Sequence, residues 1–202
     1  NRAFRHLSTW EADSLFPHPE ERTYKTDPRI QSSNKTYEFL RYICQGIDAI
    51  HEMGAELPQE CILLQELSIR SRSFLSYHVP SYMRWLESCD MTPSYQWHKK
   101  ALQYLQYKFK RDRWVLKNPH QFWSMDKFLD VYPDAVLVQT HRNVNDVLPS
   151  ITSLCAKIQG CYTKKLDPFV VGEEMLTSLS CGINILMQYR HNNKWANNHF
   201  ID

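Results

Sequence analysis

The chain has 202 residues, a mass of 24.1 kDa and a formal net charge of +2. Its hydrophobic content of 43% and aromatic content of 13% exclude a disordered chain and predict a single domain, residues 1–202, with a substantial core. The even charge balance argues against a nucleic-acid partner.

The first part of the chain is predicted to be mainly helical. After an irregular, proline-containing start, apolar residues recur at helical spacing. Pro58, Pro80 and Pro93 each stand where a helix tolerates proline, in its first turn, and Gly54 ends the first helix. The predicted helices cover about residues 34–51, 59–70 and 81–88, with a fourth beginning at Pro93.

From Arg113 onward, short apolar runs alternate with helical patterns. Trp114–Leu116 and Ala135–Thr140 are predicted strands, with a helix over about 120–131 between them. This order predicts a parallel sheet and an α/β fold. Two strands alone do not make a stable sheet, so we expect the segment to be truncated at both ends. Later elements are helices over about 145–158 and 167–190, and a last strand at 200–202.

Several kinds of site and segment are missing from the sequence. The five glycines are scattered and form no glycine-rich phosphate loop. The six cysteines contain no Cys-x-x-Cys pair, which predicts reduced core cysteines and no metal site. No apolar run reaches the ~18–20 residues of a membrane span, and no signal peptide opens the chain. We expect no transmembrane segment in these residues, and the reduced cysteines favour a reducing compartment, so we expect a cytoplasmic protein.

A basic residue follows each of the two predicted strands. Lys117 comes directly after the first strand and Arg142 shortly after the second, and both lead into a helix. In open α/β sheets, ligands gather beyond the carboxyl ends of strands, and helix N-termini with Arg or Lys bind anions. The pattern predicts a phosphate site, with solvated loop charges as the alternative.

The sequence around these residues resembles PAPS-dependent sulfotransferases. Ser150 lies eight positions after Arg142, as in the Arg–Ser motif that binds the 3′-phosphate in that family. The similarity is to the bacterial-type group and, more distantly, to the tyrosylprotein sulfotransferases. The segments that carry it are Ser8–Glu11, Tyr24–Arg29, Met53–Cys61, Asp90–Pro93, Trp114–His120, Val131–Ala135 and Thr140–Arg142.

The resemblance implies a fold, a co-substrate and a class of acceptor. The fold would be a P-loop-type parallel sheet flanked by helices, with a large helical insertion. PAPS would be the co-substrate, without a metal, and Arg142 and Ser150 would bind its 3′-phosphate. Lys117 would stabilise the transferring group. The acceptor would be a hydroxyl or amine on a small molecule, a glycan or a peptide; the oligomeric state is not implied.

The resemblance points to Glu11 as the general base. A carboxylate beside Trp10 could be partly desolvated, which would favour proton uptake. His120 and His141 are the alternatives, because cytosolic sulfotransferases use histidine. Further carboxylates that could face the acceptor, or else lie on an exposed helix surface, are Glu56, Glu60 and Glu66.

The sequence departs from the family pattern at two loops. The family's Pro-(Arg/Lys)-Ser-Gly-Thr-Thr loop for the 5′-phosphosulfate and its C-terminal glycine-rich loop do not occur in these residues. We expect both to lie outside the segment. The alternatives are a nucleotide kinase-like P-loop transferase and a catalytically inactive helical binding module, and the residues before Asn1 would distinguish the three.

Overall fold

Eight α-helices, five short 3₁₀ helices and four short strands make up the regular structure of residues 3–201, the part of the chain that the computed structural model describes. The helices are Thr9–Asp13 (α1), Pro28–Ile43 (α2), Ile62–Glu66 (α3), Pro80–Glu87 (α4), Thr92–Leu105 (α5), Met125–Val131 (α6), Val144–Gly160 (α7) and Pro168–Asn192 (α8). The strands are Phe4–Arg5 (β1), Arg113–Trp114 (β2), Leu137–Val138 (β3) and Phe200–Ile201 (β4).

The strands form two separate parallel pairs. β1 pairs with β2, which places Phe4 opposite Arg113, and β3 pairs with β4, which places Leu137 opposite Phe200. The predicted parallel pairing is present, but within residues 3–201 β2 and β3 do not pair with each other. In the part of the chain that the structure describes, β2 and β3 thus belong to two small parallel sheets, and each pairs with a segment from a distant part of the chain.

Helix bounds differ from the predicted ones where caps and turns intervene. α2 starts earlier than predicted, because Asp27 caps it by accepting a hydrogen bond from the Arg29 backbone N–H (3.0 Å). It ends at Ile43, well before residue 51, and Gly46 beyond it adopts a left-handed conformation with φ 80°. Only Ile62–Glu66 of the predicted helix over 59–70 is α-helical.

The start of the chain is more regular than its prolines suggested. β1 and α1 both lie in the region predicted to be irregular. β1 forms because the Arg113 N–H donates to the Ala3 carbonyl (3.1 Å) and the Val115 N–H donates to the Arg5 carbonyl (2.8 Å). A strand made by pairing with such a distant partner leaves no periodic signal in its own sequence.

Three buried apolar clusters hold the helices together. The first lies between α1, α3 and α5 around Leu64 and Leu105; the second joins α6 to α8 around Leu129 and Leu186. The third packs α7 against α8 around Met175. All six cysteines are free; Cys44, Cys61 and Cys155 are buried core residues as predicted, whereas Cys89 and Cys161 are half-buried and Cys181 is exposed.

Helix α8 is unusually apolar for its exposure. Its 25 residues include an 18-residue window with a mean hydropathy of 1.2, of which 22% is buried. By length and composition alone it could cross a membrane. One such helix is weak evidence, because core helices of soluble proteins share these properties.

Candidate functional site

A cleft of about 400 Å³ opens where the parallel strands β1 and β2 end. We call it the Lys117 cleft. The residues that follow the two strands, His6 and Val115–Lys117, form one side of it, and the segment Pro58–Glu60 faces them. The site therefore lies beyond the carboxyl ends of two parallel strands, the position at which α/β proteins commonly bind ligands.

Backbone hydrogen bonds fix the Pro58–Glu60 segment against both strand ends. The Gln59 N–H donates to the Leu7 carbonyl (2.8 Å), and the Cys61 N–H donates to the Lys117 carbonyl (2.9 Å). Glu60 lies between these two anchored residues. Its position opposite Lys117 is therefore set by the main chain and does not depend on side-chain attraction alone.

Lys117 and Glu60 form the ion pair of this cleft. The Lys117 Nζ lies 2.7 Å from Glu60 Oε1, and the two side chains are 71% and 24% exposed. An ion pair as exposed as this contributes little to stability, typically less than ~1 kcal/mol. The Lys117 ammonium can therefore exchange its partner for an anionic ligand at small cost.

Two histidines line the Lys117 cleft that the sequence analysis did not select. They are His6, directly after β1, and His51, which follows the short 3₁₀ segment Ile47–Ala49. His6 Nε2 lies 3.4 Å from the Ser8 hydroxyl. The sequence around His51 offered one weak signal: His51-Glu52 begins like the zinc-binding motif His-Glu-x-x-His, but the second histidine of that motif is missing.

Glu11 lies in a buried hydrogen-bond network behind this cleft. Its side chain is 0% exposed and forms an ion pair with Arg5. The other carboxylate oxygen accepts hydrogen bonds from the Ser8 backbone N–H (3.0 Å) and the Tyr24 hydroxyl (2.9 Å). Glu11 is thus part of α1 and of the protein interior, and it does not line the Lys117 cleft.

Arg5 connects this buried network to the cleft wall. Its guanidinium lies between the rings of Phe109 and Trp114, 4.6 and 4.5 Å from their centroids, and donates to the Leu105 carbonyl (2.7 Å). Burial lowers the pKa of Arg5, and the charge of Glu11 opposes that shift. Burial, followed by the Glu11 charge, raises the pKa of Tyr24. Arg5 and Glu11 thus form a buried ion pair in which most of the polar side-chain atoms have hydrogen-bond partners.

Arg142 and Ser150 lie on or beside helix α7. Arg142 precedes the cap residue Asn143, whose side chain accepts a hydrogen bond from the Asn145 N–H (2.9 Å). Ser150 is about 10 Å further along the helix axis on the face of Asn143, as two turns require. Both residues are exposed, and no carboxylate among residues 3–201 forms an ion pair with Arg142.

The structure separates the predicted site residues into different places. Lys117 follows β2 and Arg142 follows β3, and these strands belong to different sheets. His120 lines a second cleft, where burial and the nearby Arg72 charge lower its pKa to about 4. His141 is exposed. Among residues 3–201, no three His, Cys, Asp or Glu side chains are placed to hold a metal ion.

Comparisons with known proteins agree on one family. A family model described as the sulfotransferase family matches residues 7–202. The chain is similar to the crystal structure of sulfotransferase STF1 from Mycobacterium tuberculosis, with a TM-score of 0.85 and 30% sequence identity. That similarity covers 99% of this chain and 55% of the STF1 chain.

A second solved structure shows the same fold. Sulfotransferase STF9 from Mycobacterium avium gives a TM-score of 0.80 at 24% identity, over 95% of this chain and 50% of the STF9 chain. The chain therefore spans about half the length of both structures. No curated protein sequence matches it.

Proposed function

Because the chain belongs to the sulfotransferase family, we propose that the protein transfers a sulfuryl group from PAPS to a hydroxyl or amine of an acceptor. The observation that carries this proposal is the pairing of Lys117 with Glu60 in a cleft beyond two parallel strands. Sulfuryl transfer needs a cation near the departing oxygen and a base near the acceptor. This cleft offers one of each.

The donor would supply an activated sulfuryl group, whose bond to the phosphate oxygen breaks as the acceptor oxygen or nitrogen bonds to sulfur. The electron pair of the broken bond stays on that phosphate oxygen, where Lys117 would offset the negative charge. The acceptor proton would pass to a carboxylate of the cleft. No metal takes part in this scheme.

Arg142 and Ser150 are the residues we propose for the 3′-phosphate of the donor. Arg142 is exposed, has no carboxylate partner among residues 3–201 and precedes the N-terminus of the 17-residue helix α7. A guanidinium and a helix N-terminus both favour a phosphate. The residues present therefore fit the phosphate group that the resemblance assigns to them.

Glu60 is the carboxylate best placed to act as the general base. It lines the cleft, is partly exposed and contacts Lys117 directly. A base must come within hydrogen-bond reach of the acceptor proton. Glu11 and His120 stay predictions for the same role: Glu11 has both oxygens engaged in the interior, and His120 lines the second cleft.

A donor assay tests the proposed function against its alternatives. Radiolabelled PAPS and ATP would each be given to the protein with a panel of phenolic, glycan, peptide and amine acceptors. Transfer of label from PAPS supports the proposal, and phosphoryl transfer from ATP would favour the kinase-like alternative. Tight binding of adenosine 3′,5′-bisphosphate with no transfer to any acceptor would favour the inactive module.

Two lysine variants test whether sulfuryl transfer depends on the Lys117 cleft. Lys117→Ala is expected to lower sulfuryl transfer about 10²–10³-fold, as removal of one group that stabilises transition-state charge commonly does. Lys108→Ala is the matched control, because Lys108 is also an exposed lysine paired with a glutamate, Glu20, at 2.6 Å. Equal activity in the two variants would remove Lys117 from the mechanism.

A further inference from the structure

A second cleft, which we call the Arg72 cleft, lies between the α3–α4 region and helix α8. Its volume is about 260 Å³. Ile62, Leu86, Met91, Trp123 and Ile185 form an apolar part of its wall, and most of the other lining residues are polar or charged. Its polar and charged lining residues include Gln65, Arg72, Glu87, His120 and Asp126.

Arg72 is the charged residue inside this cleft. It is only 7% exposed, and its guanidinium makes no hydrogen bond or ion pair with any residue of 3–201. Its close partner is the Trp123 ring, 4.1 Å from the guanidinium carbon to the ring centroid. The buried Arg5, by contrast, donates hydrogen bonds to one carboxylate and to two backbone carbonyls. Arg72 has none of these.

The other charges of the cleft do not neutralise Arg72. Asp126 is already paired with Lys127 at 3.3 Å. Glu87 is exposed at the end of α4 and lies beyond ion-pair distance of Arg72. Burial lowers the pKa of Arg72 to about 10, partly opposed by Glu87, so the guanidinium stays protonated at neutral pH.

Neighbouring polar atoms are also left without partners. Gln65 is 3% exposed, and its Nε2 has no hydrogen-bond partner among residues 3–201; the same holds for the buried Nδ1 of His120. Buried polar groups without partners destabilise a fold, because they lose their hydrogen bonds to water without replacement. Two such atoms line the same cleft as the buried Arg72 cation, where a polar ligand could reach them.

The aromatic wall of the cleft is rigidly held. Trp123 stacks on Phe122 with ring centroids 4.0 Å apart. Helix α8 passes so close to these rings that a Cβ at Gly182 would lie 2.5 Å from both. Trp123 covers one face of the guanidinium, while the N–H donors of arginine point outward in its plane. Those donors are therefore available along the guanidinium edge.

We propose that the Arg72 cleft binds a small organic acid, with its carboxylate on Arg72 and its hydrocarbon body against the apolar wall. A carboxylate accepts two parallel N–H bonds from the planar guanidinium fork. It also supplies the negative charge whose absence makes a buried cation costly. This site lies outside the Lys117 cleft, so the inference goes beyond the proposed function and does not depend on it.

Two features favour a carboxylate over a phosphate or sulfate dianion. Glu87 contributes a second negative charge at this cleft, and a dianion would be repelled by it more strongly than a monoanion. The apolar side chains of Ile62, Leu86 and Ile185 also offer contacts that a hydrocarbon body can use and an inorganic anion cannot. A single carboxylate on a ring or short chain matches both features.

Calorimetric titration with benzoate tests this site. We expect saturable binding of benzoate, at least about 10-fold weaker binding of the neutral isostere benzamide, and a similar loss in Arg72→Gln. Arg84→Gln is the matched control, because Arg84 is an exposed arginine on α4. Lys117→Ala should leave benzoate binding unchanged, which separates this result from the proposed function.

Protection of Cys181 gives a second measurement on the unmodified protein. Cys181 is exposed and lines the cleft, so bound benzoate should slow its alkylation by iodoacetamide while benzamide does not. Arg72→Lys serves if Arg72→Gln does not fold, and should weaken binding because it loses the planar fork. Equal binding of benzoate and benzamide, no binding of benzoate, or tighter binding of inorganic sulfate would each overturn the proposal.

Discussion

The Arg5–Glu11 and Lys117–Glu60 ion pairs lie close together around the ends of β1 and β2 but differ in nearly every physical respect. Arg5 and Glu11 are 4% and 0% exposed, and further side-chain and backbone groups hydrogen-bond to both. Lys117 is mostly exposed and pairs only with Glu60 among the carboxylates of residues 3–201. One pair is enclosed by aromatic rings and main chain, and the other opens on a cleft.

The difference in burial suits the Arg5–Glu11 pair to stabilising the fold and the Lys117–Glu60 pair to contacting a ligand. A buried ion pair cannot lose one member without leaving an uncompensated charge in the interior. An exposed pair can be broken at little cost, because water replaces the lost partner. Burial, more than residue type, therefore decides which glutamate of this region is suited to accept a proton from a substrate.

Glu11→Gln is expected to produce the largest change, and it acts on stability. It leaves the buried Arg5 guanidinium without a counter-charge, which should reduce the free energy of unfolding by about 3–5 kcal/mol. Urea denaturation measures the change. Glu60→Gln is the control, with an expected loss below about 1 kcal/mol. If Glu11→Gln unfolds at the wild-type urea concentration but loses turnover, Glu11 is the base that the resemblance implies.

Glu60→Gln is expected to act on turnover. Removal of a general base typically lowers the rate about 10²–10⁴-fold. Single-turnover transfer from PAPS, at saturating donor, measures this without contributions from product release. Glu56→Gln offers a nearby glutamate that does not line the Lys117 cleft. A Glu60→Gln enzyme as fast as wild type, together with an inactive His120→Ala, would make the histidine the base.

Arg142→Ala extends the comparison to an exposed cation between β3 and the N-terminus of α7. Loss of charge-assisted hydrogen bonds to the 3′-phosphate should weaken binding of adenosine 3′,5′-bisphosphate by roughly 1.5–3 kcal/mol per bond. AMP lacks that phosphate, so its binding should change much less, and stability should not change. Calorimetry with both nucleotides decides the matter: an equal loss for the two would mean that Arg142 does not contact the 3′-phosphate.

Two buried histidines, His98 and His120, should make the stability of the protein depend on pH, an effect smaller than those of the substitutions above. Burial lowers the pKa of His98 and His120 to about 4, below the usual value near 6.5. The unfolded chain therefore binds more protons in this interval, and stability is full above about pH 6.5 and falls toward pH 4. At pH 6 the two together should cost about 1–2 kcal/mol.

Chemical denaturation at pH 7.5 and pH 6 measures this dependence. His98→Gln should reduce the difference between the two pH values, because it removes one buried titrating ring. His78→Gln should leave the difference unchanged, since His78 is exposed. A pH dependence that persists fully in a His98→Gln, His120→Gln double variant would contradict the assignment.

Several features could be predicted from the sequence because their signals are local. Helices α4, α5, α7 and α8 and the positions of the later strands follow from apolar spacing and from proline placement. The family could be identified because short motifs around Lys117 and Arg142 occur in a fixed order. The free, partly buried cysteines follow from their spacing and apolar surroundings.

The tertiary structure alone decided which strands pair and which charges meet. β1 exists because residues more than a hundred positions away supply its hydrogen bonds. Glu60 meets Lys117 because the main chain on either side of it is bonded to two different strand ends, and nothing in the local sequence distinguishes it from Glu56. Burial of Glu11 and the missing counter-charge of Arg72 likewise arise from packing between distant segments, which sequence spacing cannot express.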